Sequence, residues 1–302
     1  DLEKPRFGMS KSQWKKLGYQ CGEIYHLGAK VSMVSPYEAL RDANVNGTVE
    51  VLRMACTSKN KAVHFFSTTD ILSNKSSSFA KTEGFQLKEN DIDPLDISRG
   101  YTLSKFVSEK LMAQASARGM KVTIYRVGMI GGSTETGATN KDDFVGRMLI
   151  GLPRLGVKPM STSTYVNLLP VDSLCDAIIK INEANTGSGG VAYHLVNPHG
   201  ACTFSSLISG VENCLGRNLD EVTYKRWLEA LRKDVENPLN PVWEFPKKIS
   251  DDERFPAFGM AEIQFSNVVD LLGEENRWCP VVDSDYFLKC FRFLYDNNFI
   301  VG

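Results

Sequence analysis

The chain has 302 residues, 42% hydrophobic and 24% charged, which is the balance of an ordinary soluble globular protein with room for one large domain or two. A formal net charge of −1 gives no global attraction to nucleic acid or to an anionic membrane. No run of about 18 apolar residues is present to span a bilayer, and "DLEKPRFGMSKSQW" at the start is neither a signal peptide nor an Arg-rich transit sequence, so a cytoplasmic location is expected. The 7 cysteines (Cys21, Cys56, Cys175, Cys202, Cys214, Cys279, Cys290) contain no Cys-x-x-Cys pair and read as reduced thiols. His26, His64, His194 and His199 lack metal-ligand spacing, and no metal site is expected.

Short apolar runs alternate with helical segments through the first two-thirds of the chain. "EIYHLGA" (23–29) predicts a buried strand running into a glycine turn. Residues 36–58 have helical apolar spacing with a break expected at Asn46-Gly47. "AVHFFSTT" (62–69) predicts a second strand, 100–117 a helix, and "KVTIYRVGMI" (121–130) a third strand. "NLLPV" (167–171), a helix over 172–183 and the strand "VAYHLVN" (191–197) continue the rhythm. Strands alternating with helices predict parallel βαβ units and an α/β sheet covered on both faces. After about residue 198 the rhythm stops. "TFSSLISGVENCLG", the prolines of "NPLNPVWEFP" and a closing helix "DSDYFLKCFRFLYDNNF" suggest a smaller, mainly helical part. "STETGATNKDDF" (133–144) is longer than a plain connection needs, and long loops are often functional.

Tyr101 and Lys105 stand four apart at the head of the 100–117 helix, in "GYTLSKFVSEKL", and so share a face. A tyrosine phenol titrates near 10, too high for acid–base work at neutral pH, and a neighbouring ammonium is expected to lower it. The same lysine can hold a ribose hydroxyl. "FFSTTD" offers Ser67, Thr68 and Thr69 at the end of the second strand, where α/β sheets place ligands. On the pair alone, a helix start with a solvated lysine is the better reading. A hydroxyl-bearing strand end, the Tyr-x-x-x-Lys helix and a strand ending "YRVG", in that order, favour a reaction site instead.

With these elements the sequence resembles the extended short-chain dehydrogenase/reductases, and within them the thioester reductase domains of nonribosomal peptide and polyketide synthetases and of carboxylic acid and aminoadipate reductases. The likeness runs over nearly the whole chain: "YHLGA", "LRDANVNGTVEVLRMA", "HFFSTTDIL", "GYTLSKFVSEKL", "TIYRVGMIGGSTETGATNKDDFVGRML", "LLPVDSLCDAI" and "FLKCFRFLYDNNFI". The resemblance implies a Rossmann-like doubly wound parallel sheet over 1–132 and 163–197 that binds nucleotide. Residues 133–162 and 198–302 would be the cap that takes the substrate and its carrier arm. It implies NADPH-dependent reduction of an acyl thioester, held on the phosphopantetheine of an acyl or peptidyl carrier protein, to an aldehyde, with a second reduction to the alcohol left open. Tyr101 would donate the proton, and Lys105 would tune it and grip the ribose. Thr68 best matches the third hydroxyl, with Ser67 and Thr69 as alternatives. Gly28, Ala29, Val127, Gly128 and Ile130 would line the cofactor. Asn44 would hold its helix and a water relay, or else simply cap a helix irregularity. The family often has proline where Val127 stands. A monomeric domain of a larger synthetase is implied, with no nucleic-acid or membrane partner.

One departure stands out. The family's Gly-x-x-Gly-x-x-Gly turn, whose helix N-terminus holds the pyrophosphate, occurs nowhere in the 302 residues, and "DLEKPRFGMS" resembles the segment after the family's third strand. About three strands are therefore expected to be missing. A fragment of a longer protein is the preferred reading. A deliberate truncation, or a protein that lost its redox chemistry, are the others. Residues 1–302 alone are then expected to bind NADPH weakly. Two alternatives to reduction stay open: chain release by Dieckmann-type cyclisation, against which the retained Tyr101 and Lys105 speak, and a non-catalytic carrier-docking module.

Overall fold

The computed structural model describes residues 1–32, 35–72, 100–160, 165–184, 189–200, 202–243, 263, 265–273 and 278–300. In chain order its helices are α1 (Lys11–Gln20), α2 (Tyr37–Arg41), α3 (Gly47–Ala55), α4 (Gly100–Ala117), α5 (Phe144–Leu155), α6 (Val171–Ala184), α7 (Phe204–Leu215), α8 (Tyr224–Lys233), α9 (Asn240–Trp243), α10 (Ser266–Leu272) and α11 (Ser284–Asp296). Its strands are β1 (Glu23–His26), β2 (Ala62–Thr68), β3 (Val122–Val127), β4 (Met129–Gly131), β5 (Val157–Pro159), β6 (Tyr165–Val166), β7 (Leu168–Pro170), β8 (Val191–Leu195), β9 (Cys202–Thr203) and β10 (Asp220–Val222). They form two compact units. The first comprises Asp1–Gly128, Ile181–Leu195 and Ala261–Gly273, and the second Met129–Lys180, Val196–Met260 and Glu274–Gly302.

The first unit is built on a parallel sheet in the order β1-β2-β3-β8. Every residue of β3 is buried, as a central parallel strand with helices on both faces requires. Val63 and Phe65 of β2, Val122 and Ile124 of β3 and Ala192 of β8 share one core with Val51 and Ala55 of α3 and Met112 of α4. On these strands the alternate positions carry a row of rings: Tyr25 stacks on His64 at 4.3 Å, and His64 and Tyr193 flank Tyr125 at 6.1 and 6.0 Å. The expected buried strand at 23–29 is a correction. β1 has four residues and is the edge of the described sheet, leaving Glu23 and Tyr25 exposed.

The expected break at Asn46-Gly47 is also corrected. The backbone stays helical through Gly47, and one turn of π-helix (Asp42–Asn46) joins α2 to α3, with the Gly47 N–H donating to the Asp42 carbonyl. Gly47 serves close approach rather than a turn, because a Cβ there would sit 3.2 Å from the Leu2 carbonyl oxygen. The third strand is shorter than expected. It ends at Val127, and after Gly128 the chain forms β4, which pairs in parallel with β7. Residues 129–132 and 165–180, expected with the sheet, consequently fall in the second unit.

The second unit has its own apolar core, which includes Met148, Leu149 and Leu152 of α5, Phe204 and Val211 of α7, Trp227 of α8 and Phe287 and Phe291 of α11. Side-chain caps start its helices at Asp143, Thr203, Thr223 and Asp283, and left-handed glycines end α5 and α7 at Gly156 and Gly216. It is less purely helical than expected, since it also holds the two-stranded pairs β4–β7, β5–β10 and β6–β9. The polar loop after β4 is pinned. The Asp172 carboxylate accepts from the Ser133 hydroxyl and from the Thr134 hydroxyl and N–H, while the Tyr286 hydroxyl donates to the Gly132 carbonyl. Among the described residues no helix is long and apolar enough to cross a membrane.

Candidate active site

The site is organised by the first turns of α4. Gly100 makes that position possible, since a Cβ there would collide with the backbone of Ser35, Pro36 and Tyr37 at the start of α2. Tyr101 follows, half-buried, and Lys105 lies one turn on, 4% exposed. The Lys105 amine donates to the Phe66 carbonyl of β2 at 2.7 Å and stands 5.1 Å from the centre of the Phe65 ring and 6.0 Å from that of Tyr101. Burial pulls the Lys105 amine down to about 8, opposed by the Glu109 carboxylate one turn further along α4.

The expected lowering of the Tyr101 phenol is corrected. Burial, and after it the charge of Asp70, push it up to about 12. The phenolate would lose hydration, and the Lys105 amine is committed to the Phe66 carbonyl. A phenol in this state keeps its proton at neutral pH and can give it away only to an oxygen that is gaining negative charge.

The sheet places several other expected residues near this helix. Thr68 ends β2 opposite Val127 of β3, and its hydroxyl accepts from the Asp70 N–H at 3.1 Å. Ser67 is 6% exposed, and its hydroxyl has no hydrogen-bond partner among the described residues. Such a buried orphan costs about 1–3 kcal/mol, which makes it a notable donor at a strand end. Thr69 opens the short 3-10 turn Thr69–Leu72. Val127 is buried, and the next residue, Gly128, donates its N–H to the Leu195 carbonyl of β8 at 3.0 Å. Gly28 and Ala29 follow β1, and a Cβ on Gly28 would lie 3.1 Å from the Leu2 side chain. Ile130 is not among this group. It lies on β4 in the second unit and is exposed.

Asn44 sits in the π-turn, 3% exposed, with its side chain fully engaged. Its amide oxygen accepts from the Lys30 N–H at 2.7 Å, and its amide nitrogen donates to the Lys30 carbonyl and the Ser104 hydroxyl at 3.0 and 2.9 Å. Ser104 in turn donates to the Tyr101 carbonyl. The Asn44 carbonyl accepts from the Thr48 and Ser108 hydroxyls. Asn44 therefore ties the turn after β1 to α4. Next to this lies His26, held to Thr48 at 3.1 Å and kept neutral, down to about 4, by burial and by the Lys105 charge.

Four further residues at or beneath this site carry no decisive signal in the sequence. Gly100 and Ser104 are visible beside Tyr101 and Lys105 in "GYTLSK", but nothing in the pattern says what they touch. Glu109 and Arg126 form a buried ion pair across α4 and β3, at 2.8 Å, with side chains 4% and 0% exposed. Their signal was a glutamate one helical turn past Lys105, which on a solvated helix would mean little.

Comparison with known proteins places the chain. A family model described as "Male sterility protein", an NAD-binding domain, matches residues 1–178. A linear gramicidin synthase of Brevibacillus parabrevis is 34% identical over 299 residues, covering 96% of this chain and 6% of that protein. The large subunit of L-2-aminoadipate reductase from Penicillium chrysogenum is 32% identical over 263 residues, 81% of this chain and 18% of the relative. The chain thus spans less than a fifth of either protein. Among solved structures, the terminal R domain from the myxalamid PKS-NRPS pathway superposes with a TM-score of 0.83 at 32% identity, covering 99% of this chain and 74% of that one. The chain therefore belongs to the NAD-binding male sterility family, among the reductase domains of nonribosomal peptide and hybrid polyketide–peptide synthetases, with the extended short-chain dehydrogenase/reductase fold.

Proposed function

We propose that this chain is the reductase part of a larger synthetase and releases a carrier-bound acyl thioester as an aldehyde, with NADPH as reductant. The observation that carries the reading is the Lys105 amine, buried and bound to the Phe66 carbonyl, one helical turn from a protonated Tyr101 at the carboxyl ends of β2 and β3. A buried ammonium and an unpaired Ser67 hydroxyl suit the nicotinamide–ribose end of a dinucleotide. No Gly-x-x-Gly-x-x-Gly turn occurs in this sequence, so no residue here is assigned to the pyrophosphate.

When bound, NADPH would supply a hydride to the thioester carbon; loss of the carrier thiol would then leave the aldehyde, and a second NADPH would be needed to take it to the alcohol. Tyr101 donates its proton to the carbonyl oxygen as negative charge develops there, which a phenol held near 12 can do from neutral to mildly basic pH. Lys105 holds the ribose and offers positive charge to the phenolate left behind. Thr68 is the second donor to the carbonyl oxygen, with Ser67 beside it on β2. Gly28, Ala29, Val127 and Gly128 line the cofactor, and Asn44 fixes the turn that carries the first two. The second unit takes the acyl group and the phosphopantetheine arm. The synthetase relatives support a carrier-protein partner.

Tyr101→Phe tests the assignment. In the complete protein it should lower reduction by about 10²–10⁴-fold while leaving cofactor affinity nearly intact, since general acid catalysis has that size. Turnover within threefold of wild type would remove Tyr101 from the reaction. Lys105→Ala should weaken both cofactor binding and turnover.

A further inference from the structure

Beneath the Tyr101–Lys105 pair lies a second set of buried charges that the proposed reaction does not use. Arg126 is fully buried on β3 and grips the Glu109 carboxylate with two nitrogens: Nε lies 3.1 and 3.2 Å from the two oxygens, and Nη2 lies 2.8 Å from Oε2. Its Nη1 stands 3.2 Å from Nε2 of His194 on β8, a residue also 0% exposed. A guanidinium can only donate, so Nε2 of His194 is the unprotonated nitrogen and the ring is neutral. Register sets Ser67, Arg126 and His194 side by side on three neighbouring strands. Glu109 comes down to them from α4, the helix that bears Lys105.

Such a pair is an expensive way to hold a helix on a sheet. Desolvating both charges costs about as much as their attraction returns, and well-packed apolar side chains do the same work. What an apolar contact cannot do is supply a negative charge one turn below a buried amine. Among the described residues, the titratable and charged groups near this part of α4 include Tyr101 and Glu109 on the helix itself, His26 on β1, Asp70 after β2, Arg126 on β3 and His194 on β8. His26 is neutral, Tyr101 is protonated and Asp70 acts on the phenol. Among the described residues, Glu109, one helical turn along α4 and held by Arg126, is the anion whose charge reaches Lys105.

We propose that Glu109, fixed in place by Arg126, is a positioning residue that keeps the Lys105 amine charged inside the protein. The inference rests on the assignment of Lys105 made above. Its chemistry is simple: a neutral Lys105 could neither steady a phenolate nor bind a ribose oxygen as a cation, so activity needs a built-in counter-charge where water is absent.

The test is Glu109→Gln in the complete protein, with the lysine Cε carbons labelled with ¹³C and the Lys105 signal, identified by its loss in Lys105→Met, followed against pH by NMR. Removing a nearby opposite charge should lower the Lys105 midpoint by about one pH unit, a tenfold change in its proton affinity. The basic limb of kcat/KM should move down with it. A folded Glu109→Gln protein whose Lys105 midpoint stays within about 0.3 units of wild type overturns the proposal. If Glu109→Gln does not fold, the double variant Glu109→Gln/Arg126→Met removes both buried charges. Its Lys105 midpoint should still fall, whereas a wild-type midpoint there would show that the pair only packs. The NMR arm reads no turnover. A shifted midpoint with unchanged turnover would therefore uphold the role of Glu109 while removing Lys105 from the reaction.

Discussion

The two units of this chain solve burial in opposite ways. In the second, the core is aliphatic and aromatic, and its buried polar residues among those described are Thr139, Ser173, Asn197 and Asn237. In the first, Glu50, Lys61, Lys105, Glu109 and Arg126 are all buried, and they are the buried charged side chains among the described residues of the whole chain. A protein keeps a charge out of water only where partners hold it. The polar groups of the second unit fasten loops, as Asn237 does when it donates to the Gly151 carbonyl and accepts from the Leu239 N–H. In the first, Lys105, Glu109 and Arg126 gather on α4 and the neighbouring strands, whereas Glu50 accepts from the Arg6 N–H and Lys61 donates to the Thr57 and Lys59 carbonyls. It is the cluster of buried charges around α4, not buried charge as such, that accompanies the candidate site.

The sharpest way to break this contrast is to damage each core by a similar amount. Trp227→Ala in the second unit and Arg126→Met in the first should each cost about 3–5 kcal/mol, one through a cavity and the other through an unpaired Glu109. Urea unfolding followed by circular dichroism measures both. Arg126→Met alone should also disturb cofactor titrations, and equal disturbance by Trp227→Ala would end the division of labour. A smaller effect is expected from Gly100→Ala. The new methyl meets backbone rather than a pliable side chain, so α4 must shift, at about 1–3 kcal/mol. Turnover should fall about 10²-fold, the size of a 1 Å misplacement of reacting groups, and an unchanged rate would show that α4 tolerates displacement.

The smallest effect concerns pH. His26 stays neutral in the fold down to about 4, while in the unfolded chain it takes up a proton near 6.5. Between those values the unfolded state binds more protons, so this contribution to stability is full above about 6.5 and is lost as pH falls toward 4. His26→Asn should flatten that part of the stability profile. Urea midpoints at pH 7 and pH 5 check it, and the same drop in both proteins would place the acid sensitivity elsewhere.

Much of the first unit could be read from the sequence because its signals are local. The predicted helix over 100–117 is α4, and β2 ends one residue short of its predicted limit. The errors came where distant chain decides the outcome. Asn46-Gly47 reads as a turn, yet Leu2 lies against Gly47 and the helix continues through it. "YRVGMI" reads as one strand, yet Gly128 divides it, because Met129–Gly131 find their partner in β7 rather than β8. Tyr101 and Lys105 were found by spacing. The rise of the phenol was not, since burial is set by segments far apart in the chain. Glu109 was passed over because a carboxylate four residues after a lysine looks the same whether the helix face is wet or dry.

The division of the chain has a consequence for how the protein is made. Neither unit is one continuous stretch: the chain passes between them after Gly128, Lys180, Leu195, Met260 and Gly273, and α6 itself belongs partly to each. Neither can be cut out as a contiguous piece without losing a strand or a helix. During synthesis β3 emerges early but waits for residues 191–195 before its second neighbour arrives, so the central strand of the sheet spends the intervening time with one edge unpaired. The helices and β4–β7 made in that interval belong largely to the other unit, so the two must grow together, by long-range closures of the kind that slow folding.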